Sequence, residues 1–191
     1  GSYMSRKYAS IYGDELDGVI FLGTGNQPKA VVDSGLKLAH IAKLVRGERY
    51  RSELLNTIMF GAYNKRIKDN RTANDWLTKD TKIVDEYLSD PKCSYKFTAN
   101  AYIGFLNVIK YDIDKKNIAK TPDKLPVLFA SGLEDPVGDY GKGVKKAFKM
   151  YTKYVDNVEL YLYEDDRHEL HSETDREDIF SDLYEWIEEN V

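Results

Sequence analysis

The chain has 191 residues, 42% of them hydrophobic and 31% charged, a balance that suits one packed domain of ordinary size and not a disordered chain. Its 28 basic and 32 acidic residues leave a formal charge of −4, which argues against a nucleic-acid partner or an anchor on anionic membranes. Cys93 is the only cysteine, so an intrachain disulfide framework is excluded; with no signal segment and no apolar run near the roughly 18 residues of a membrane span, a soluble, cytoplasmic protein is expected.

Residues 4–12 have mixed helical spacing, which Gly13-Asp14 interrupts. The apolar run Val19-Ile20-Phe21-Leu22, followed by Gly23-Thr24-Gly25, predicts a buried parallel strand that feeds a loop. Between Ala30 and Arg46, Val31, Val32, Leu36, Ala39, Leu44 and Val45 recur at helical spacing, and Gly47 supplies a stop. Residues 48–115 contain no convincing strand and only short helical pieces, around 54–59 and 83–88, yet they are rich in aromatics, among them Phe60, Tyr63, Trp76, Tyr102 and Phe105. This stretch reads as a helical insertion.

After Pro126 a strand-then-helix rhythm begins. Val127 to Ala130 is a continuous apolar strand, Val144, Ala147, Phe148 and Tyr151 mark a helix face, and residues 158–163 alternate as a strand. The last helix has Thr174-x-x-Glu177 as a capping box, with Ile179, Phe180, Leu183, Trp186 and Ile187 on one face. Strands alternating with helices imply an α/β fold, a parallel sheet with helices on both faces. Three strands are few for such a sheet.

In an open α/β sheet, ligands bind beyond the carboxyl ends of the strands, which directs attention to residues 23–28, 131–139 and 164–172. The second of these carries Asp135 between Gly132 and Pro136, and the third carries His168 among charged residues. Neighbouring strands lie about 4.8 Å apart, so Asp135 and His168 can meet. A carboxylate that accepts from one imidazole nitrogen fixes the tautomer and frees the other nitrogen to take a nucleophile's proton. Taken alone, Asp135 also suits a turn before proline, and His168 a solvated loop.

Other candidates carry less. His40 falls at the polar boundary of a helix. His171 could pair with His168 on a metal, but no Cys or His cluster with ligand spacing accompanies them. Gly23-Thr24-Gly25-Asn26 lacks the third glycine of a dinucleotide fingerprint and the Lys-Ser/Thr of a P-loop, and reads as a turn at the edge of a pocket. Cys93 has no base beside it. No metal and no organic cofactor is expected.

The order Ser131-Gly132-x-x-Asp135-Pro136-Val137, then Asp166-Arg167-His168-Glu169, then an amphipathic helix, resembles the C-terminal part of α/β-hydrolases of the monoacylglycerol lipase and lysophospholipase type, the S33 serine aminopeptidase-like group. Residues 12–20 with Gly23-Thr24-Gly25-Asn26 are similar to the helix and strand that follow the nucleophile in that family, and Asn74-Asp75-Trp76-Leu77 is similar to part of its helical cap. The resemblance implies residues 1–28 as post-nucleophile helix and strand, 29–115 as a cap or lid, and 116–191 as the core that carries acid and histidine. It implies Asp135 as triad acid and His168 as base, with Gly23, Thr24, Asn26 and Trp76 bordering an acyl ester.

The family's nucleophile lies in a Gly-x-Ser-x-Gly elbow, a context that Ser2, Ser5, Ser10 and Ser131 all lack. Residues Gly1 to Tyr8 resemble the elbow's last glycine and its helix, which puts the serine just upstream; a vector-derived Gly-Ser scar is the competing account. The expected protein is thus a serine hydrolase of acyl-glycerol or lysophospholipid-like esters, represented here by a piece that is inactive alone. A missing N-terminal segment, or a second copy in a homo-oligomer, would cover the edge of the strand at 19–22. The alternative is a non-catalytic, helix-capped α/β ligand-binding module.

Overall fold

The computed structural model describes residues 1–68 and 70–191. Three parallel strands, β1 (Val19–Leu22), β2 (Val127–Gly132) and β3 (Val158–Tyr163), form one sheet in the order β1-β2-β3. Val19 pairs with Val127 and Val127 with Val158. Eight helices surround the sheet among the described residues: α1 (Ser2–Tyr12), α2 (Lys29–Arg46), α3 (Glu53–Phe60), α4 (Thr81–Ser89), α5 (Ala99–Asp112), α6 (Lys115–Ile118), α7 (Lys142–Tyr151) and α8 (Arg176–Asn190).

Side chains of a strand alternate between its two faces, and both faces are covered. On one, Phe21, Val127 and Phe129 pack with Ala9 of α1 and Val144, Ala147 and Tyr151 of α7. The Phe21 and Phe129 rings lie 5.2 Å apart, and Tyr151 meets Phe129 edge-on at 5.1 Å. On the other face Ala130 packs with Leu170 and with Ile179 of α8. The central strand β2 is buried along its whole length, which explains its unbroken apolar sequence.

Between β1 and β2 the chain builds a helical layer from α2 to α6. Its longest member after α2 is α5, 14 residues capped by Thr98, whose hydroxyl accepts from the Ala101 amide. The expectation of only short helical pieces here is therefore corrected. Ala99, Tyr102, Leu106, Val108 and Ile109 are all buried, so α5 is apolar around much of its circumference and shows no single-face period. Leu106 and Ile109 pack against Val32 and Leu36 of α2.

Two amphipathic faces also differ from expectation. On α2, Val32, Leu36 and Ala39 are buried, but Val31, Leu44 and Val45 are exposed. On α8, Ile179 and Trp186 are buried, whereas Phe180 and Ile187, each one position further along, are turned about 100° away and exposed. The capping box at α8 does not form. Arg176 is the first helical residue and Asp175 its N-cap, without a side-chain cap bond, so Thr174 sits one residue too early to reach the third amide.

Arg6 is fully buried and ties α1 to the rest. Its guanidinium donates to the Gly25 carbonyl at 2.8 Å, the Asp112 carbonyl at 2.9 Å and the Thr24 hydroxyl at 3.4 Å. The Asp112 carboxyl has one oxygen without a partner, and burial, outweighing the opposing pull of Arg6 and Lys7, pushes it from 3.8 up to about 7. A carboxyl raised in the folded state stabilises when protonated: the contribution is full below about 3.8 and is lost as pH rises through about 7. Asp112→Asn is expected to abolish this slope and to raise the urea midpoint at pH 8 more than at pH 4; equal shifts at both would contradict it.

Candidate active site

The loops after β2 and β3 leave the same end of the sheet and continue to touch. The Leu133 amide donates to the Tyr163 carbonyl and the Glu134 amide to the Asp166 carbonyl, both at 2.8 Å. Gly132 permits this, because a Cβ there would lie 2.0 Å from the Asp166 oxygen. Asp135 follows, fully buried. Its Oδ1 accepts from the Val137 amide at 2.8 Å, an Asx-type turn, and its Oδ2 lies 3.0 Å from His168 Nδ1. Asp135 is thus both the turn residue and the partner of the histidine.

A carboxylate only accepts, so Nδ1 carries the proton in that contact and Nε2 is left as the basic nitrogen. The His168 side chain is 24% exposed. On one side it packs against Gly23, whose φ of +58° favours glycine and where a Cβ would come within 2.9 Å of Nδ1. On another, the Trp76 ring lies 5.2 Å from the imidazole. Tyr63 meets Trp76 edge-on at 4.9 Å, and Phe60 stacks at 6.4 Å, so an aromatic wall from the helical layer ends on the histidine.

The histidine loop is stitched to residues 75–79 of that layer. The Glu169 amide donates to the Leu77 carbonyl at 2.7 Å and the His168 amide to the Trp76 carbonyl at 3.4 Å. The Arg167 guanidinium reaches the carbonyls of Asp75 at 2.7 Å and Thr78 at 3.0 Å. Lys79 Nζ pairs with buried Asp166 at 2.5 Å. Burial raises the Asp166 carboxyl against the pull of Lys79.

A cavity of about 1180 Å³ opens beside His168, large enough for a small organic substrate. Gly23, Asn26 and Trp76 line it, together with Tyr63, Met59 and Val137. Thr24 does not: it is fully buried behind the wall and takes a hydrogen bond from Arg6. Burial raises the phenols of Tyr63 and Tyr3, the latter to about 12, so both remain neutral donors at ordinary pH. Gly1 and Ser2 also border the cavity, and the Ser2 hydroxyl donates to the Gly23 carbonyl at 3.4 Å. His171 lies on the same wall, His40 is exposed on α2, and among the described residues no group of three or more His, Cys, Asp or Glu gathers as a metal-ligand set.

Sequence reasoning gave Lys79 and Glu173 no part in this site and named Arg167 only within the Asp166-Arg167-His168-Glu169 motif, without a role. Lys79 and Glu173 look like ordinary surface charge, and no local pattern marks the burial of Glu173.

Residues 1–175 match the family described as serine aminopeptidase, S33. Among solved structures, a thermostable carboxyl esterase from Bacillus coagulans superposes with a TM-score of 0.90 at 24% identity, covering 100% of this chain and 62% of that one. A lipase in open form gives 0.86 at 27% identity, covering 99% and 62%. A monoglyceride lipase from Saccharomyces cerevisiae gives 0.69 at 21% identity, covering 100% and 60%. The chain spans about 62% of the length of the first two. No curated protein matches the sequence.

Proposed function

The chain belongs to the serine aminopeptidase S33 family of α/β-hydrolases, and from that membership we propose that the protein is a serine hydrolase of carboxylic esters in which His168 is the general base and Asp135 its orienting acid. The observation that carries this reading is the 3.0 Å contact between a fully buried carboxylate and an imidazole at the cavity wall. The names of the esterase and lipase neighbours support an ester as substrate.

In the proposed reaction a serine hydroxyl attacks the ester carbonyl while His168 Nε2 takes its proton. The resulting imidazolium is stabilised by Asp135 and returns the proton to the leaving alcohol. Water then repeats the sequence on the acyl-enzyme. Gly-x-Ser-x-Gly occurs nowhere in the 191 residues, which span about 62% of the length of the first two neighbours, and we assign the nucleophile to a part of the whole protein outside them. The same part would supply oxyanion-hole donors and pair with the edge of β1, so that residues 1–191 alone lack turnover.

Residues 29–115 serve as a cap in this reading, with Phe60, Tyr63 and Trp76 forming the apolar wall for an acyl chain of an acyl-glycerol or lysophospholipid-like ester, and the protein works in the cytoplasm. Fluorophosphonate probes test the nucleophile. The full-length protein is expected to be labelled on a single serine in a Gly-x-Ser-x-Gly sequence outside these residues, whereas an unlabelled protein would favour a binding module without catalysis.

A further inference from the structure

Glu173 lies five residues after His168, and its side chain is fully buried between the histidine loop and the helical layer. Every polar contact of its carboxylate is with a donor. Oε1 accepts from the Arg167 amide at 2.7 Å; Oε2 accepts from the Lys79 amide at 2.9 Å and the Thr78 hydroxyl at 3.0 Å. One oxygen therefore holds the residue next to the histidine, and the other holds Thr78 and Lys79 of the helical layer. The Thr78 hydroxyl lies equally within reach of the Ser172 carbonyl, at 2.8 Å.

We propose that Glu173 is a positioning residue: its carboxylate bridges the histidine loop to residues 78–79 and so holds the His168 ring in register with Asp135 and Trp76. The inference rests on the assignment of His168 as general base for its catalytic consequence, though not for the geometry itself.

The physical ground is the match of acceptors to donors. A buried carboxylate offers only acceptors, and the Arg167 and Lys79 amides that face it offer only protons; the Thr78 hydroxyl, which accepts from the Asp80 amide, has one proton for Glu173 or the Ser172 carbonyl. Buried amides left without an acceptor are costly, so the loop and the segment are held where both oxygens are used. The Arg167 guanidinium, the Lys79–Asp166 pair and the amides of His168 and Glu169, which donate to the Trp76 and Leu77 carbonyls, tie the same two segments, and the Glu173 carboxylate adds a buried side-chain bridge that takes protons from both. In Glu173→Gln the amide nitrogen must face one set of donors, and that half of the bridge opens. Misplacement of a catalytic group by about 1 Å costs on the order of 100-fold in rate.

The test uses the full-length protein and two readouts. A protonated imidazole beside an indole quenches its emission, so the pH-dependent tryptophan fluorescence that disappears in His168→Ala reports the contact of His168 with Trp76. Turnover of p-nitrophenyl butyrate, a short-chain ester, reports kcat and KM. Glu173→Gln is expected to lower kcat by about 10- to 100-fold with KM within threefold, and to shrink the His168-dependent fluorescence change at a temperature where circular dichroism shows the variant folded.

A folded variant with unaltered fluorescence titration and kcat within threefold of the parent overturns the proposal. If Glu173→Gln does not fold, Thr78→Val removes one donor and leaves the carboxylate; it should show the same two changes in smaller measure, and their absence overturns the proposal equally. If the parent enzyme proves to have no esterase activity, the hydrolase reading fails, while the fluorescence arm still decides whether Glu173 sets the His168–Trp76 contact.

Discussion

Replacing His168 with alanine in the full-length protein is expected to cut kcat/KM for a medium-chain p-nitrophenyl ester by roughly four to six orders of magnitude, the loss seen when the base of a serine triad is removed. The reason lies in the occupancy of the two ring nitrogens. Nδ1 is committed to Asp135 at 3.0 Å, so Nε2 is the basic nitrogen left to collect a serine proton. The fold should survive the change, because the backbone of the loop is held independently: the amides of 167, 168 and 169 donate to Glu173, Trp76 and Leu77. Turnover within tenfold of the parent, in protein with a normal circular dichroism spectrum, would remove His168 from the mechanism.

Asp135→Asn should lower kcat by about 10,000-fold while leaving the site's shape intact. Asn is nearly isosteric with Asp, but its two ends differ. The Val137 amide donates to Oδ1 at 2.8 Å, and a buried N–H keeps its acceptor, so the Asn carbonyl oxygen must take that position. The NH2 group then faces His168 Nδ1 and donates to it, which selects the tautomer protonated at Nε2. That histidine has no basic nitrogen to offer a serine. The measurement is kcat with the same ester, joined to the nitrogen chemical shifts of His168, which report the tautomer directly. If the tautomer reverses and kcat stays within tenfold, Asp135 has no catalytic part.

The two substitutions separate the roles. His168→Ala removes the proton acceptor, whereas Asp135→Asn keeps the ring and changes only which nitrogen holds the proton. Their effects should be far from additive, because both disable one unit.

The pairing of Asp135 with His168 was legible because parallel strands deliver their following loops to one end of the sheet, and the loop residues nearest those ends were few. The wall of Phe60, Tyr63 and Trp76 was legible only as an excess of aromatic residues in a stretch without strands. Its contact with the imidazole, 5.2 Å from Trp76, depends on hydrogen bonds between the segments at 75–79 and 166–173, nearly a hundred positions apart; the Thr78 hydroxyl and the Ser172 carbonyl, for example, are separated by 94 residues. No periodicity within a window of ten or fifteen residues carries such a contact.

Thr24 illustrates the same limit. Its neighbours Gly23 and Asn26 border the cavity, but the guanidinium of Arg6, 18 residues away, draws its hydroxyl into the interior. The helix α5 was missed for the opposite reason: it is buried on so many sides that its apolar residues show no face.

By itself, then, the order of residues determined the strands, because short apolar runs such as Val127 to Ala130, bounded by turn residues and rich in β-branched or aromatic side chains, suit a buried sheet, and it determined which loops meet beside the cavity, because parallel connections deliver them to one end. Tertiary structure decided which charges are buried and what they hold. Burial is a property of the partners brought to a residue by distant parts of the chain, and Glu173, a glutamate among acidic neighbours in the sequence, becomes a bridge only where Arg167, Thr78 and Lys79 present their protons to it.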